Sequence, residues 1–140
     1  MSKRLLLATD GSPAAHRAVD LAIALAAALG ARMHVLHVLA PQPAVGLAAD
    51  AIEGKPHAWR AIQHARGDLA EVQEKASRAG VPCHVEHAFD NRPHAAIAAA
   101  AMSHHCDLIV MGAHARDAPL ATDVTRQVII HCDVPVLICP

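Results

Sequence analysis

Two short polar stretches follow apolar runs and carry residue types that bind nucleotides. The first, "ATDGS", places Asp10 directly after the apolar run Leu5 to Ala8, and the second, "MGAHARDAPLATDV", begins with Gly112 and then presents His114 and Arg116. A carboxylate accepts hydrogen bonds from ribose hydroxyls or base amines, and a glycine turn ahead of a helix lets backbone amides approach a phosphate. Alternatively, Asp10 braces its own turn, and His114 and Arg116 are solvated loop residues.

The predicted elements place both stretches at strand ends. Apolar runs predict strands at Leu5–Ala8, Arg32–Leu39, Val81–Phe89, residues 106–114 and Val134–Cys139, and helical spacing predicts helices at Ala14–Leu29, Pro56–Ala79, Pro93–His104 and residues 122–132. Ser12 and Pro13 suit a helix start, whereas Gly30 and Gly80 suit helix ends. The segment Ala40 to Gly54, rich in proline and glycine, is predicted to be a loop.

Strands that alternate with helices predict a doubly wound α/β fold. Such strands are parallel, are joined by right-handed crossovers and carry helices on both faces of the sheet. A ligand of this fold lies beyond the carboxyl ends of the strands, where the strand order reverses. The ends of the first and fourth strands, which are the two polar stretches, are therefore the candidate site.

Length and composition exclude several classes of function. The 140 residues, 54% of them hydrophobic, predict one domain, residues 1–140, with a sizeable core. Twelve basic residues against 13 acidic ones leave no charge excess for binding nucleic acid or an acidic membrane. No apolar stretch approaches the roughly 20 residues of a membrane span, so we expect a soluble cytoplasmic protein. The four cysteines lack CxxC spacing and are predicted to be buried free thiols rather than disulfide or metal ligands: Cys83, Cys106, Cys132 and Cys139.

The chain resembles the universal stress protein family in three segments that occur in the family's order. These are "KRLLLATDGSPAAHRAVDLAIALAAALGARMHVLHVL", "DLIVMGAHAR" and "VIIHCDVPVLIC". The resemblance implies a flavodoxin-like sheet of five parallel strands in the order 3-2-1-4-5, with about four helices on both faces. It also implies a stress-tolerance role, dimers formed through the last strand and no established catalytic reaction. Since many family members bind ATP, it further implies a candidate nucleotide site at Ala8, Asp10, Val38, Gly112, His114, Arg116 and Thr122.

The second polar stretch departs from the family's ATP-binding pattern of glycine, two residues, glycine, nine residues, then glycine with serine or threonine. Ala115 replaces the second glycine, and its methyl group obstructs a close backbone approach. Only six residues, "RDAPLA", precede Thr122 at the third glycine position, and Pro119 stiffens this shorter loop. The chain thus lacks backbone amides that would enclose a triphosphate.

Asp123 stands where the family pattern has serine or threonine. We expect it in the first turn of the last helix, where the helix dipole favours a carboxylate. A phosphate about 4 Å away would be repelled by about 4 kcal/mol at an effective dielectric of 20, so Asp123 is expected to oppose phosphate and no cofactor is expected. Thr122 or Asp123 acting as a plain helix cap is the alternative, and a bridging Mg²⁺ leaves ATP with Mg²⁺ open.

Twelve histidines are many for this length, and several occur in close pairs. His34 and His37 lie three apart on a predicted strand and so point to opposite faces, and the same holds for His84 and His87. His104 and His105 lie at a helix end, where positive charge suits the dipole. We therefore predict no metal site. Acidification through pH 6.5 would still add positive charges, so a pH-dependent association is a hypothesis.

Catalysis has little support, because the sequence contains neither a nucleophile elbow nor a Walker motif. We predict a stress-response protein that acts through dimerisation and unidentified protein partners without tight ATP binding. An ATP-binding stress sensor, with slow hydrolysis left open, is the alternative. The apolar last strand, Val134 to Cys139, is predicted to be an exposed edge that pairs antiparallel with a second copy.

Overall fold

The computed structural model describes residues 3–10, 15–39, 57–90, 92–112 and 119–140, and the following elements lie in these ranges. The predicted loop Ala40 to Gly54 and the predicted helix start at Ser12 and Pro13 lie outside them. In chain order the elements are β1 (Arg4–Thr9), α1 (Ala15–Leu29), β2 (Arg32–Leu39), α2 (His57–Arg78), β3 (Cys83–Phe89), α3 (Pro93–Ser103), β4 (Leu108–Gly112), α4 (Pro119–His131) and β5 (Val136–Cys139). None of the helices described has the length and apolarity needed to cross a membrane.

The five strands form one parallel sheet in the order β3-β2-β1-β4-β5, which confirms the predicted flavodoxin-like doubly wound fold. β1 is central and pairs with β2 from Arg4 opposite Arg32 and with β4 from Leu5 opposite Leu108. The strand order reverses between β1 and β4, and the carboxyl ends of these strands are where a doubly wound sheet binds its ligand. β3 and β5 are the two edges of the sheet.

Apolar side chains fill two layers, one on each face of the sheet. Leu5, Leu7 and Val35 pack with α1 and α2 on one face. Leu6, Leu36 and Ile109 pack with α3 and α4 on the other. The central strand is therefore buried on both sides, which explains why β1 is a continuous apolar run rather than an alternating one.

Three helices end in the same hydrogen-bonded turn, a Schellman motif. After α1, the amide of Ala31 donates to the carbonyl of Ala26 over 2.9 Å, and Gly30 between them has φ 63°. After α2, Gly80 takes the equivalent position with φ 73°. After α3 that position is occupied by His105 with φ 52°, a left-handed conformation that glycine adopts at lower cost.

Two predicted boundaries near the C-terminus are wrong. Helix α4 begins at Pro119, because a proline needs no amide partner in the first turn, so Pro119 belongs to the helix and not to the loop. Thr122 and Asp123 are consequently the fourth and fifth helical residues, and neither is a cap or an acidic residue of the first turn. Strand β5 begins at Val136 rather than Val134, since Pro135 accepts a hydrogen bond from the amide of Ile109 but has no N–H to donate.

The four cysteines are free, as predicted. Cys106 is buried, whereas Cys83, Cys132 and Cys139 are partly exposed, so full burial was predicted correctly for one of them. Burial raises the pKa of Cys83 and of Cys106 to about 11, and both thiols are therefore protonated near neutral pH.

Candidate functional site

Four of the predicted site residues lie together at the carboxyl ends of the three central strands. Ala8 pairs with Leu36 of β2 and with Met111 of β4, which brings the ends of all three strands to one level. Asp10 follows the end of β1 and is exposed, and Gly112 ends β4 in a buried position. Ala8 and Val38 both face the layer of α3 and α4. This arrangement offers a carboxylate, small apolar side chains and a strand that ends in glycine at the reversal of the strand order.

The remaining predicted site residues are only partly described. His114 and Arg116, together with Ala115, lie outside the described residues. The backbone of Thr122 and Asp123 belongs to α4, but their side chains are not described. The structure thus gathers Ala8, Asp10, Val38 and Gly112, while the expected phosphate contacts and the expected opposition of Asp123 to phosphate stay predictions.

His37 lies on the opposite face of the sheet, directly behind Asp10. It pairs with Thr9 at the end of β1, its side chain is 3% exposed, and it hydrogen-bonds to the backbone of Asp10. Burial lowers the pKa of His37, against the opposing effect of the Asp68 and Asp10 carboxylates. The imidazole is therefore neutral near pH 7, and its Nδ1 atom is buried without a hydrogen-bond partner. His37 is a structural support for the end of β1, a role that the sequence did not suggest.

The cavity on this second face is too small for a nucleotide. Its volume is about 20 Å³, and Thr9, Asp68 and Lys75 are among the residues around it. A cavity of this volume holds about one water molecule. Among the described residues, this cavity therefore has no room for a nucleotide.

A second group of polar residues, which we call the histidine cluster, consists of His34, His84 and His104. His34 and His84 are paired neighbours on β2 and β3, and His104 caps the C-terminus of α3. The ring of His34 stacks on that of His104 with centroids 4.3 Å apart, and the ring of His84 lies 5.7 Å from that of His34. Nε2 of His104 is 3.1 Å from the carboxylate of Glu86.

A repeated spacing of histidines in the sequence is a signal for this cluster. The segments "HVLH" from His34 and "HVEH" from His84 have the same spacing, so in-register parallel pairing aligns their histidines. The prediction that His34 and His37 face opposite sides is confirmed, since His34 stacks on His104, the residue after α3, whereas His37 interacts with Asp68 of α2. Histidines on the same face of two neighbouring strands nevertheless lie side by side, as His34 and His84 do.

The described side chains contain no group of three or more histidine, cysteine or acidic residues arranged to hold a metal ion. In the histidine cluster, two rings lie nearly parallel, at an interplanar angle of 17°. Stacked rings direct their nitrogen atoms side by side and not towards one point, whereas metal coordination needs converging nitrogen lone pairs.

Known proteins with the same fold agree with this architecture. The family model described as the universal stress protein family matches residues 1–140. The universal stress protein in the QAH/OAS sulfhydrylase 3'region of Thermus aquaticus is 38% identical over 113 residues, which are 80% of this chain and 77% of that protein. A crystal structure of a family protein from Burkholderia pseudomallei is 26% identical, covers 99% of this chain and 96% of its own, and has a TM-score of 0.79. A universal stress protein in complex with cAMP is 23% identical, with 98% and 95% covered and a TM-score of 0.71.

Proposed function

The chain belongs to the universal stress protein family, and from this premise we propose that it is a stress-response protein that acts as a homodimer through protein partners, without catalysis and without tight ATP binding. We propose a cytoplasmic location, which agrees with the four free cysteines, because thiols stay reduced in that compartment. The observation that carries the proposal is an exposed apolar surface at one edge of the sheet.

We use the name β5 edge for the last strand together with the exposed apolar residues of the helix that precedes it. Ile129 and Ile130 of α4 are 54% and 58% exposed, and Leu137 of β5 is 36% exposed. β5 has no strand outside it among the described residues, so one row of its backbone amides and carbonyls faces outward. An edge of this kind is a template for pairing with another strand.

A second copy of the chain is the partner that fits the β5 edge. Two identical edges related by a two-fold axis pair antiparallel, which satisfies the outward backbone groups of both copies. The same pairing brings Leu137 of one copy near Leu137 of the other and covers apolar area that is otherwise exposed. The adjoining helix surfaces remain available for partner proteins.

Replacing Leu137 with lysine tests the dimer. In an antiparallel pair the two lysines would face each other across the axis, and like charges opposite one another are destabilising. We expect the unmodified protein to sediment as a dimer at micromolar concentration and Leu137→Lys to sediment as a monomer with an unchanged circular dichroism spectrum.

Leu29→Lys is the matched control for this experiment. Leu29 is an apolar residue of similar exposure, 44%, but it lies at the end of α1 and away from the β5 edge. We expect it to leave the dimer intact. A monomeric unmodified protein, or a dimer that persists in Leu137→Lys, would contradict the proposed interface.

An ATP-binding sensor is the second candidate function, and the position at which α4 begins supports it. Asp123 is the fifth residue of α4 and not part of its first turn, where the free amides lie, so the argument that its carboxylate takes the place of a phosphate is weakened. Asp10 and Gly112 lie at the reversal of the strand order, and a universal stress protein of the same fold has been crystallised in complex with cAMP. Ala115 and the short segment "RDAPLA" remain the reasons to expect weak binding.

Thermal unfolding with ATP and Mg²⁺ separates the two candidates. Weak binding predicts a rise in Tm below about 2 °C at millimolar ATP, equivalent to less than about 0.5 kcal/mol for a domain of this size. A rise of several degrees would overturn the first candidate in favour of the second. Asp123→Ser increases the rise if the carboxylate opposes phosphate, whereas Asp133→Ser, a loss of the same charge at an exposed residue beyond α4, leaves it unchanged.

A further inference from the structure

The histidine cluster joins three elements at the amino end of the sheet, far along the strands from the candidate nucleotide site. His34 lies near the start of β2, His84 near the start of β3, and His104 is the residue that follows α3. The ring of His84 lies 6.3 Å from that of His104, which completes a triangle of contacts with the shorter distances to His34. The end of α3 therefore contacts β2 and β3 through imidazole rings, beside the small core residues Ala101 and Cys106.

Few negative charges face these three imidazoles. Glu86 of β3 bonds to His104, and the Arg4 guanidinium of β1 donates to the carbonyl of His104 over 3.1 Å. The carboxylate of Asp107 accepts a hydrogen bond from the amide of Arg4 over 2.9 Å, and the nearby Cys106 thiol is uncharged because its pKa is about 11. The Glu86 carboxylate balances the charge of one protonated imidazole, but a second protonated imidazole would add positive charge beside Arg4.

The geometry of His34 opposes its protonation. An imidazolium ion carries a hydrogen atom on both ring nitrogens, and each needs an acceptor when it is buried. Nδ1 of His34 is buried and has no hydrogen-bond partner, and the ring face is covered by His104. A protonated His34 would therefore bury an unpaired donor and place its charge against a second imidazole.

The pKa of His34 agrees with this geometry. It is lowered from 6.5 first by burial and then by His104, His84 and Arg4, with Glu86 acting in the opposite direction. Because the folded pKa lies below the unfolded value, the closed junction has its full stability above pH 6.5 and loses it as the pH falls through 6.5 towards the folded pKa.

The end of α3 is the element that yields, because its turn is the weakest of the three Schellman motifs. His105 holds the left-handed conformation that glycine holds after α1 and α2. Met102, in the last turn of α3, is 67% exposed and adds little packing. The core residues that this opening uncovers, Ala101 and Cys106, have small side chains, and the opening frees His34 to take a proton.

We propose that the histidine cluster is a proton-sensitive junction, which closes the C-terminal end of α3 onto β2 and β3 at neutral pH and releases it on acidification. Acidification is thereby an input to the stress response, and in that respect the inference rests on the proposed function. If the closed form takes no proton at His34, the equilibrium constant for opening rises about tenfold between pH 7.5 and 5.5.

Amide hydrogen exchange measures this opening directly. The amides of His104 and Cys106 donate to Ala100 and Ala101 in the closed turn, so their exchange, corrected for its intrinsic pH dependence, reports the opening constant. We expect the tenfold rise in the unmodified protein. In His34→Gln, which has no titrating ring, we expect the rise to fall to threefold or less.

His16→Gln is the matched control, since His16 is exposed on α1, on the other face of the sheet, and we expect it to keep the full rise. A rise in His34→Gln as large as in the unmodified protein would overturn the proposal, as would opening constants no larger than that of global unfolding.

If His34→Gln does not fold, the imidazole titration of the unmodified protein decides by NMR, and a midpoint for His34 at or above 6.5 refutes the junction. Neither readout depends on dimerisation or on a nucleotide, so this inference and the proposed function can fail separately.

Discussion

At the scale of single residues, two histidines of one strand differ in role because they face different layers. His37 is 3% exposed and supports the end of β1 through the Asp10 backbone, whereas His34 is partly exposed and meets α3. Both have a buried Nδ1 atom without a partner. Burial lowers the pKa of both imidazoles, so each makes the stability of the folded state depend on pH.

His37→Leu should make the free energy of unfolding less dependent on pH. Burial lowers the pKa of His37 below 6.5, so the folded state loses stability as the pH falls through that range, and leucine has no proton to take up. We expect the difference in stability between pH 7.5 and 5.5 to shrink by up to about 1.4 kcal/mol. Urea denaturation at both values measures it.

His87→Gln is the control, because His87 pairs with His37 in the sheet but is exposed. It should keep the pH dependence of the unmodified protein. An undiminished pH dependence in His37→Leu would show that this residue is not the source.

At the scale of elements, glycine residues define where α1 and α2 end. In the Schellman motifs after α1 and α2, the residue following each glycine is buried against the last turn: Ala31 is 3% and Val81 is 4% exposed. The glycines at φ 63° and 73° direct the chain from a helix into the next strand. A glycine inside a helix has no such function and only weakens it.

Alanine substitutions at two glycines should therefore act in opposite directions. Gly30→Ala places a β-carbon on a left-handed residue and should lower the free energy of unfolding by about 1 kcal/mol. Gly67→Ala lies within α2 and should raise it by about 0.5 to 1 kcal/mol. An added β-carbon meets no atom within 4 Å at either position, so the difference is conformational. Thermal and urea unfolding measure both, and equal effects of the same sign would contradict the explanation.

At the scale of the whole molecule, five strands are buried unequally. The central strand is covered on both faces, but the edge strands β3 and β5 keep exposed apolar residues, including Phe89 at 44% and Leu137 at 36%. A single layer of helices on each face does not extend over both edges. In the proposed dimer, a second copy would cover the β5 edge without a change of fold.

The proposed dimer predicts a Tm that depends on protein concentration. Dimerisation stabilises the folded state by mass action, so a tenfold increase in concentration should raise Tm by about 2 °C for a dimer of this size. Leu137→Lys should show no such dependence. A concentration-independent Tm in the unmodified protein, measured by calorimetry, would argue for a monomer.

The prediction of the fold succeeded where local patterns were strong. The continuous apolar run of β1 and the glycines after α1 and α2 predicted elements that the structure places within one or two residues. The predicted start of α4 is wrong, because Pro119 suits the first turn of a helix as well as a loop. The candidate site at Asp10 and Gly112 followed from the fold, since parallel strands end at one edge.

The amino-acid sequence by itself determined the elements, their order and the family, because each depends on residue types close together in the chain. Only the tertiary structure decided which distant residues meet. Strand register aligns His34 with His84, and the end of α3 adds His104, whose position in the sequence is 70 residues beyond His34. Burial, and with it the lowered pKa of His34 and His37, arises from packing between elements that are remote in the chain.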